Sequence, residues 1–162
     1  MEPTFLLSPN MTKAERYEAF IPQWKAFIDG ETDVISILAN TSAALKEAFG
    51  FFWIGFYIVK DGELHVGPFQ GSAACYRIKK GKGVCGTAWK EATTQVVPDV
   101  ELFPGHIACS SDSRSEIVVP IMVNDEVYGV LDIDSDELAT FDDTDRIYLE
   151  KMMSILAEAI QQ

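Results

Sequence analysis

Long apolar runs are missing from this sequence. None approaches the roughly 18 residues that a membrane-crossing helix requires, which argues against an integral membrane protein. Positive charge is scarce as well. Thirteen Lys and Arg stand against 25 Asp and Glu, a formal net charge of −12, so nucleic acid and anionic membrane surfaces are poor partners. The cysteines, Cys75, Cys85 and Cys109, form no CxxC pair and so lack the spacing of a structural zinc site. A Cys3His site using His65 or His106 is the lesser metal reading. Repeats, low-complexity tracts and linkers are absent too, and 162 residues read as one domain large enough to bury a core. The opening MEPTFLLSPN carries neither the basic region nor the apolar core of a signal peptide. Three cysteines without an export signal point to the cytoplasm, where thiols serve as catalysts, ligands or redox sensors.

What the chain does have is 48% apolar residues with a clear change of period along its length. Thr12-Lys13-Ala14-Glu15 has the form of a capping box. The helix it opens carries Tyr17, Phe20, Trp24 and Phe27 and stops at Gly30, so residues 1–30 read as an N-terminal helical extension. Pro22 is expected to kink or split that helix. A second helix begins near Thr32-Asp33, with Val34, Ile37, Leu38, Thr41, Leu45 and Phe49 on one face and Gly50 as C-cap. The period then becomes two. Phe52 to Lys60 and Glu63 to Phe69 make a hairpin around Asp61-Gly62, and Trp53, Gly55 and Tyr57 share one face of its first strand. The glycine between those rings either leaves a slot for a small apolar group or lets a neighbour pack close; the second reading is favoured.

Val84 to Glu91 reads as a short helix, Gln95 to Val97 as a strand, and Glu116 to Val123 with Val127 to Asp134 as a second hairpin. Asp142 caps a last helix, Asp143 to Gln162, with Ile147, Met152, Ile155, Leu156 and Ile160 turned inward. The sum is class α+β, an antiparallel sheet flanked by helices.

Chemistry concentrates between Leu102 and Ile121. Cys109 follows a Pro104-Gly105 turn and His106, in a loop rich in Ser and Asp that leads into an apolar strand. A thiol so placed is a candidate nucleophile, its alternative being a buried, inert cysteine. The basic loop Lys79-Lys80-Gly81-Lys82-Gly83 fits neither a Walker loop nor GxGxxG and is a weak phosphate signal. Asp132 and Asp134, two apart in VLDID, lie on one face of an apolar strand; they are either solvated at the sheet end or line a pocket, and a pocket requires a cation or a shared proton. Whether Glu116 joins them depends on the second hairpin. A plain two-residue turn at Asn124-Asp125 turns Glu116 to the opposite face, whereas a longer connection or one bulge brings it alongside.

GKGVCGTAW, FPGHIAC followed by S-x-SEIVVPI from Ser113, and GVLDID together resemble the free methionine-(R)-sulfoxide reductase family, single-domain enzymes with the GAF fold. GVLDID is common to GAF domains, whereas the cysteine motifs are specific. One departure is Ser110, where the family usually has Asp. The resemblance implies that Cys109 is the nucleophile and Cys75 the resolving thiol, with Cys85 the second candidate. It implies that Trp53 and Tyr57 enclose the substrate methyl group, and that Glu116, Asp132 and Asp134 bind and polarise the substrate, Glu116 and Asp134 counting among the catalytic groups. It implies no cofactor or metal, a substrate that is free methionine sulfoxide, and thioredoxin as reductant. A homodimer is left open. The competing reading is a GAF module that binds a small ligand or senses redox state without turnover.

Overall fold

A computed structural model describes residues 5–161. The first four residues of the expected N-terminal extension and Gln162 of the expected last helix lie outside the described residues. One six-stranded sheet organises the chain. Its strands are β1 (Trp53–Lys60), β2 (Glu63–Gln70), β3 (Arg77–Ile78), β4 (Gln95–Val97), β5 (Ser115–Val123) and β6 (Glu126–Ser135). Their order across the sheet is β3-β2-β1-β6-β5-β4, every pair antiparallel. Strand β3 is too short to show a period in the sequence, and the 3-10 turn Val100–Leu102 hides in what reads as plain loop.

Alternation along the central strands sends side chains to two different cores. On one face Ile54, Phe56, Ile117, Val119, Ile121, Leu131 and Ile133 pack against α1 (Lys13–Ile28), α2 (Val34–Phe49) and α4 (Asp143–Ile160). On the other face Tyr57, Leu64, Val118 and Val130 meet α3 (Gly83–Glu91) through Val84, Cys85 and Ala88. No helix among the described residues is long and apolar enough to cross a membrane.

The capping box of α1 is formed in both directions between Thr12 and Glu15. Pro22 does not split the helix, which continues to Ile28 with Tyr17, Phe20, Ile21, Trp24 and Ile28 buried; tertiary packing outweighs one missing backbone bond. Helix α4 corrects a second expectation. Ile147 is 54% exposed; the buried residues are Leu149, Met152, Met153, Leu156 and Ala157, with Ile155 and Ile160 partly buried against the same core. The reason is Asp145, buried and held by the Tyr17 hydroxyl at 2.6 Å and the Lys13 ammonium at 2.7 Å. That anchor sets the phase of the helix, and two residues further on a side chain points away from the core.

Candidate active site

The site grows from the register of three neighbouring strands. In the β5-β6 hairpin, Val123 faces Glu126 and Met122 faces Val127 across Asn124 and Asp125, both at positive φ. The register then shifts, because Ile121 faces Gly129 and Tyr128 is left over as a bulge. That single extra residue decides where the acids point. Beyond it Glu116 stands opposite Asp134 and Val118 opposite Asp132, so all three carboxylates lie on the α3 face of the sheet. Strand β1 adds Trp53 opposite Asp134 and Gly55 opposite Asp132, which brings Trp53 and Tyr57 onto the same face.

These five residues line one pocket together with Cys85, Cys109, His106, Lys82, Ser110 and others. The pocket has a volume of about 40 Å³. Trp53 and Tyr57 form one wall, their rings 6.2 Å apart, and the Trp53 indole donates to the Ser72 carbonyl at 2.9 Å. The slot that the sequence allows at Gly55 is filled by packing. A methyl group there would lie 2.3 Å from Phe69 Cβ and 2.8 Å from the Trp53 ring. Gly71, at φ +142°, leaves similar room, since a Cβ would come within 2.4 Å of Trp53 Cδ1.

The acids form the floor. Glu116 is 6% exposed and Asp132 5%. Burial pushes the Glu116 carboxyl well above the usual carboxylate range, and the neighbouring charges of Asp132 and Asp134 push it further. Asp134 rises well above its ordinary value for the same reason, burial first and Asp132 second. Burial also raises Asp132, but hydrogen bonding toward Glu116 and Cys85 works against it. Asp132 Oδ1 is buried without a partner among the described residues, an acceptor that a bound cation or a shared proton would satisfy. The three groups cannot all ionise cheaply, so the cluster holds a proton more tightly than an ordinary carboxylate does.

The three cysteines part company here. Cys75 and Cys109 are joined in a disulfide, with their Cα atoms 5.4 Å apart and 34 residues between them in sequence. The bridge ties the segment after β2 to the loop before β5 at the edge of the pocket. Cys85 is the free thiol, buried in the first turn of α3, and burial followed by the charge of Asp132 raises it well above a usual thiol. With two sulfurs committed to each other, this state of the protein has no Cys3His set. Among the described residues, the group whose ligand atoms could hold a cation is Cys85, Glu116 and Asp132, all within 4.8 Å of one another. His106 lines the pocket, but burial lowers its pKa, so it brings no fixed positive charge to the thiol. Its backbone N–H closes a turn onto Phe103 at 3.2 Å. The residue that the sequence left without a role is Ser113, the first of the S-x-SEIVVPI motif, whose buried hydroxyl lines the pocket and has no partner among the described residues.

Comparison with known proteins agrees with this arrangement. A family model describing the GAF domain matches residues 31–161. GAF domain-containing protein A of Dictyostelium discoideum is 54% identical, with 90% of this chain and 92% of the relative covered. Free methionine-R-sulfoxide reductase of Escherichia coli is 44% identical over 93% of this chain and 92% of its own. The X-ray structure of free methionine-R-sulfoxide reductase from Neisseria meningitidis in complex with its substrate superposes with a TM-score of 0.93. It is 49% identical, with 98% of this chain and 96% of that one covered. Motif, register and relatives converge: the chain belongs to the GAF-domain family and, within it, to the free methionine-R-sulfoxide reductases.

Proposed function

We propose that this protein reduces free methionine (R)-sulfoxide to methionine, with Cys109 as the nucleophile and Cys75 as the resolving thiol. The observation that carries the reading is the Cys75–Cys109 disulfide at the edge of a pocket whose floor is three carboxylates, Glu116 and Asp132 buried and Asp134 partly so, and whose wall is two aromatic rings. The Cys109 thiolate attacks the sulfoxide sulfur while the carboxylate cluster delivers a proton to the oxygen. Methionine leaves, and Cys109 carries the oxygen as a sulfenic acid. Cys75 condenses with it, water departs and the disulfide forms. An external dithiol then returns two electrons and two protons. Trp53 and Tyr57 enclose the methyl group, and Asp132, Asp134 and Glu116 receive the α-ammonium. Cys85 stays a thiol in the floor, too buried to serve as the resolving group. The R preference is carried by the named relatives.

We assign regeneration to a thioredoxin-type dithiol in the cytoplasm, since every turnover oxidises the thiol pair. The described part of the expected 1–30 extension, with α1 as its helix, is assigned to a single GAF-type domain, supported by Tyr17 and Trp24 lying in the same core as α2 and α4. The test is conversion of free methionine sulfoxide to methionine by purified protein with dithiothreitol. Cys109→Ser is expected to lose more than about a hundredfold in rate with an unchanged circular dichroism spectrum. Wild-type protein that binds the sulfoxide without converting it would return the chain to the class of ligand-binding GAF modules.

A further inference from the structure

The disulfide must be reopened once per turnover, and whatever protein does so must bring a thiol to one of its two sulfurs. The surface around them is divided by charge. From Leu64 to Lys90 the chain contains no Asp or Glu, although the whole molecule carries a net −12. Arg77, Lys79, Lys80 and Lys82 cluster there, all exposed and none in an ion pair among the described residues. Lys80 lies over the Trp89 ring at 5.3 Å, and Arg77 donates to the Tyr76 carbonyl, so this segment is held in place. Tyr76, the residue after Cys75, is 77% exposed. The Cys109 side is the reverse: Asp99, Glu101 and Asp112 line a neighbouring groove with Arg114 among them.

From this division we infer that the reductant is a dithiol protein with an acidic active-site face, which docks on Tyr76 and the Arg77–Lys82 collar and attacks Cys75. The inference rests on the proposed catalytic cycle. A basic partner would meet like charge at the collar, whereas an acidic one is repelled by most of this molecule and steered to this face. The partner's thiolate bonds to Cys75 Sγ, and the breaking S–S bond leaves its electron pair on Cys109. The nucleophile is thereby freed in the first step. The partner's second thiol then attacks its own sulfur in the mixed disulfide, and Cys75 leaves as a thiolate and takes a proton. Two electrons and two protons pass to this protein, and the partner becomes a disulfide.

The test uses the oxidised full chain with a thioredoxin of net negative charge, kept reduced by its reductase and NADPH, against dithiothreitol. The Arg77→Glu/Lys79→Glu double variant touches neither cysteine nor pocket. It is expected to lower kcat/KM for thioredoxin at least about tenfold at low salt, with dithiothreitol-driven turnover within about twofold of wild type. The wild-type thioredoxin rate should fall with ionic strength, and the variant's should not. A thioredoxin variant with only its attacking thiol should be trapped on Cys75 in peptide mapping. Equal losses with both reductants, no loss with either, or a mixed disulfide on Cys109 would each overturn the inference. So would wild-type protein that dithiothreitol reduces and thioredoxin does not. Failure of dithiothreitol itself to support turnover would sink the catalytic reading instead.

Discussion

Glu116 is the residue whose cost is easiest to see. Unfolded, it titrates near the usual carboxylate value of about 4.3; folded, burial and its two acidic neighbours make it hold its proton to a higher pH. Between those values the native state binds more protons than the unfolded chain, so its share of stability is lost as pH rises from about 4 through the raised value. Glu116→Gln is therefore expected to raise the melting temperature at pH 8, by roughly 2–4 °C for each kcal/mol recovered, and to change it little at pH 4. Thermal melts of the ligand-free protein at both pH values test this, and an equal effect at both would sink it. The same variant should lose activity, the usual exchange between stability and a strained site. The cluster also predicts specificity. An α-ammonium gives charge-assisted hydrogen bonds of about 1.5–3 kcal/mol each, whereas the neutral amide of N-acetyl-methionine sulfoxide leaves the buried carboxylates unpaired. The acetylated compound is expected to lose at least about tenfold in kcat/KM, and Asp134→Asn a similar factor with the free amino acid. Comparable kcat/KM for the two compounds would mean that the ammonium is not read.

Elements were legible where their period is long and their caps are explicit. The box at Thr12, the Asp142 cap, the Gly50 C-cap and the two-residue turn at Asp61-Gly62 all stand as the sequence indicates. Phase was less legible. Ile147 looks inward on an apolar count, but the hydrogen bonds that bury Asp145 are tertiary and leave no local pattern. The facing of Glu116 is undecided for a related reason: a bulge of one residue at Tyr128 carries no composition of its own, and only pairing with β1 and β5 together fixes it. Gly71 belongs to the same class of silent positions, since nothing in the sequence marks it and it proves to make room for the pocket wall. Gly71→Ala would put Cβ within 2.4 Å of the Trp53 ring at a φ that side chains avoid. The expected outcome is a loss of about 1–3 kcal/mol in urea unfolding and a rise in KM that exceeds the fall in kcat. A variant with wild-type KM would show that the Trp53 ring is not a substrate contact.

At the scale of the molecule, the disulfide joins two loops that hang from opposite halves of the sheet, one after β2 and one before β5. Drawn together, they leave a pocket of about 40 Å³. Both loops border that pocket, and the bridge fixes them against each other at its edge. The sheet behind the pocket is held on both faces, by Ile54, Ile117 and Ile133 in one core and Tyr57, Val118 and Val130 in the other. The loops are left to yield. Oxidation should therefore close the site that reduction opens, and the substrate sulfoxide should meet only enzyme whose thiols are ready for it. The expected result is that reduced Cys109→Ser protein, which cannot form the bridge, binds free methionine sulfoxide in calorimetry, while oxidised wild-type protein binds it at least about tenfold more weakly. Amide exchange should in parallel be faster in residues 103–114 of the reduced protein than of the oxidised one, with β5 and β6 unchanged. Equal affinity in the two redox states would mean that the loops open independently of the bridge, and the disulfide would then be a product of the chemistry without being a gate to it.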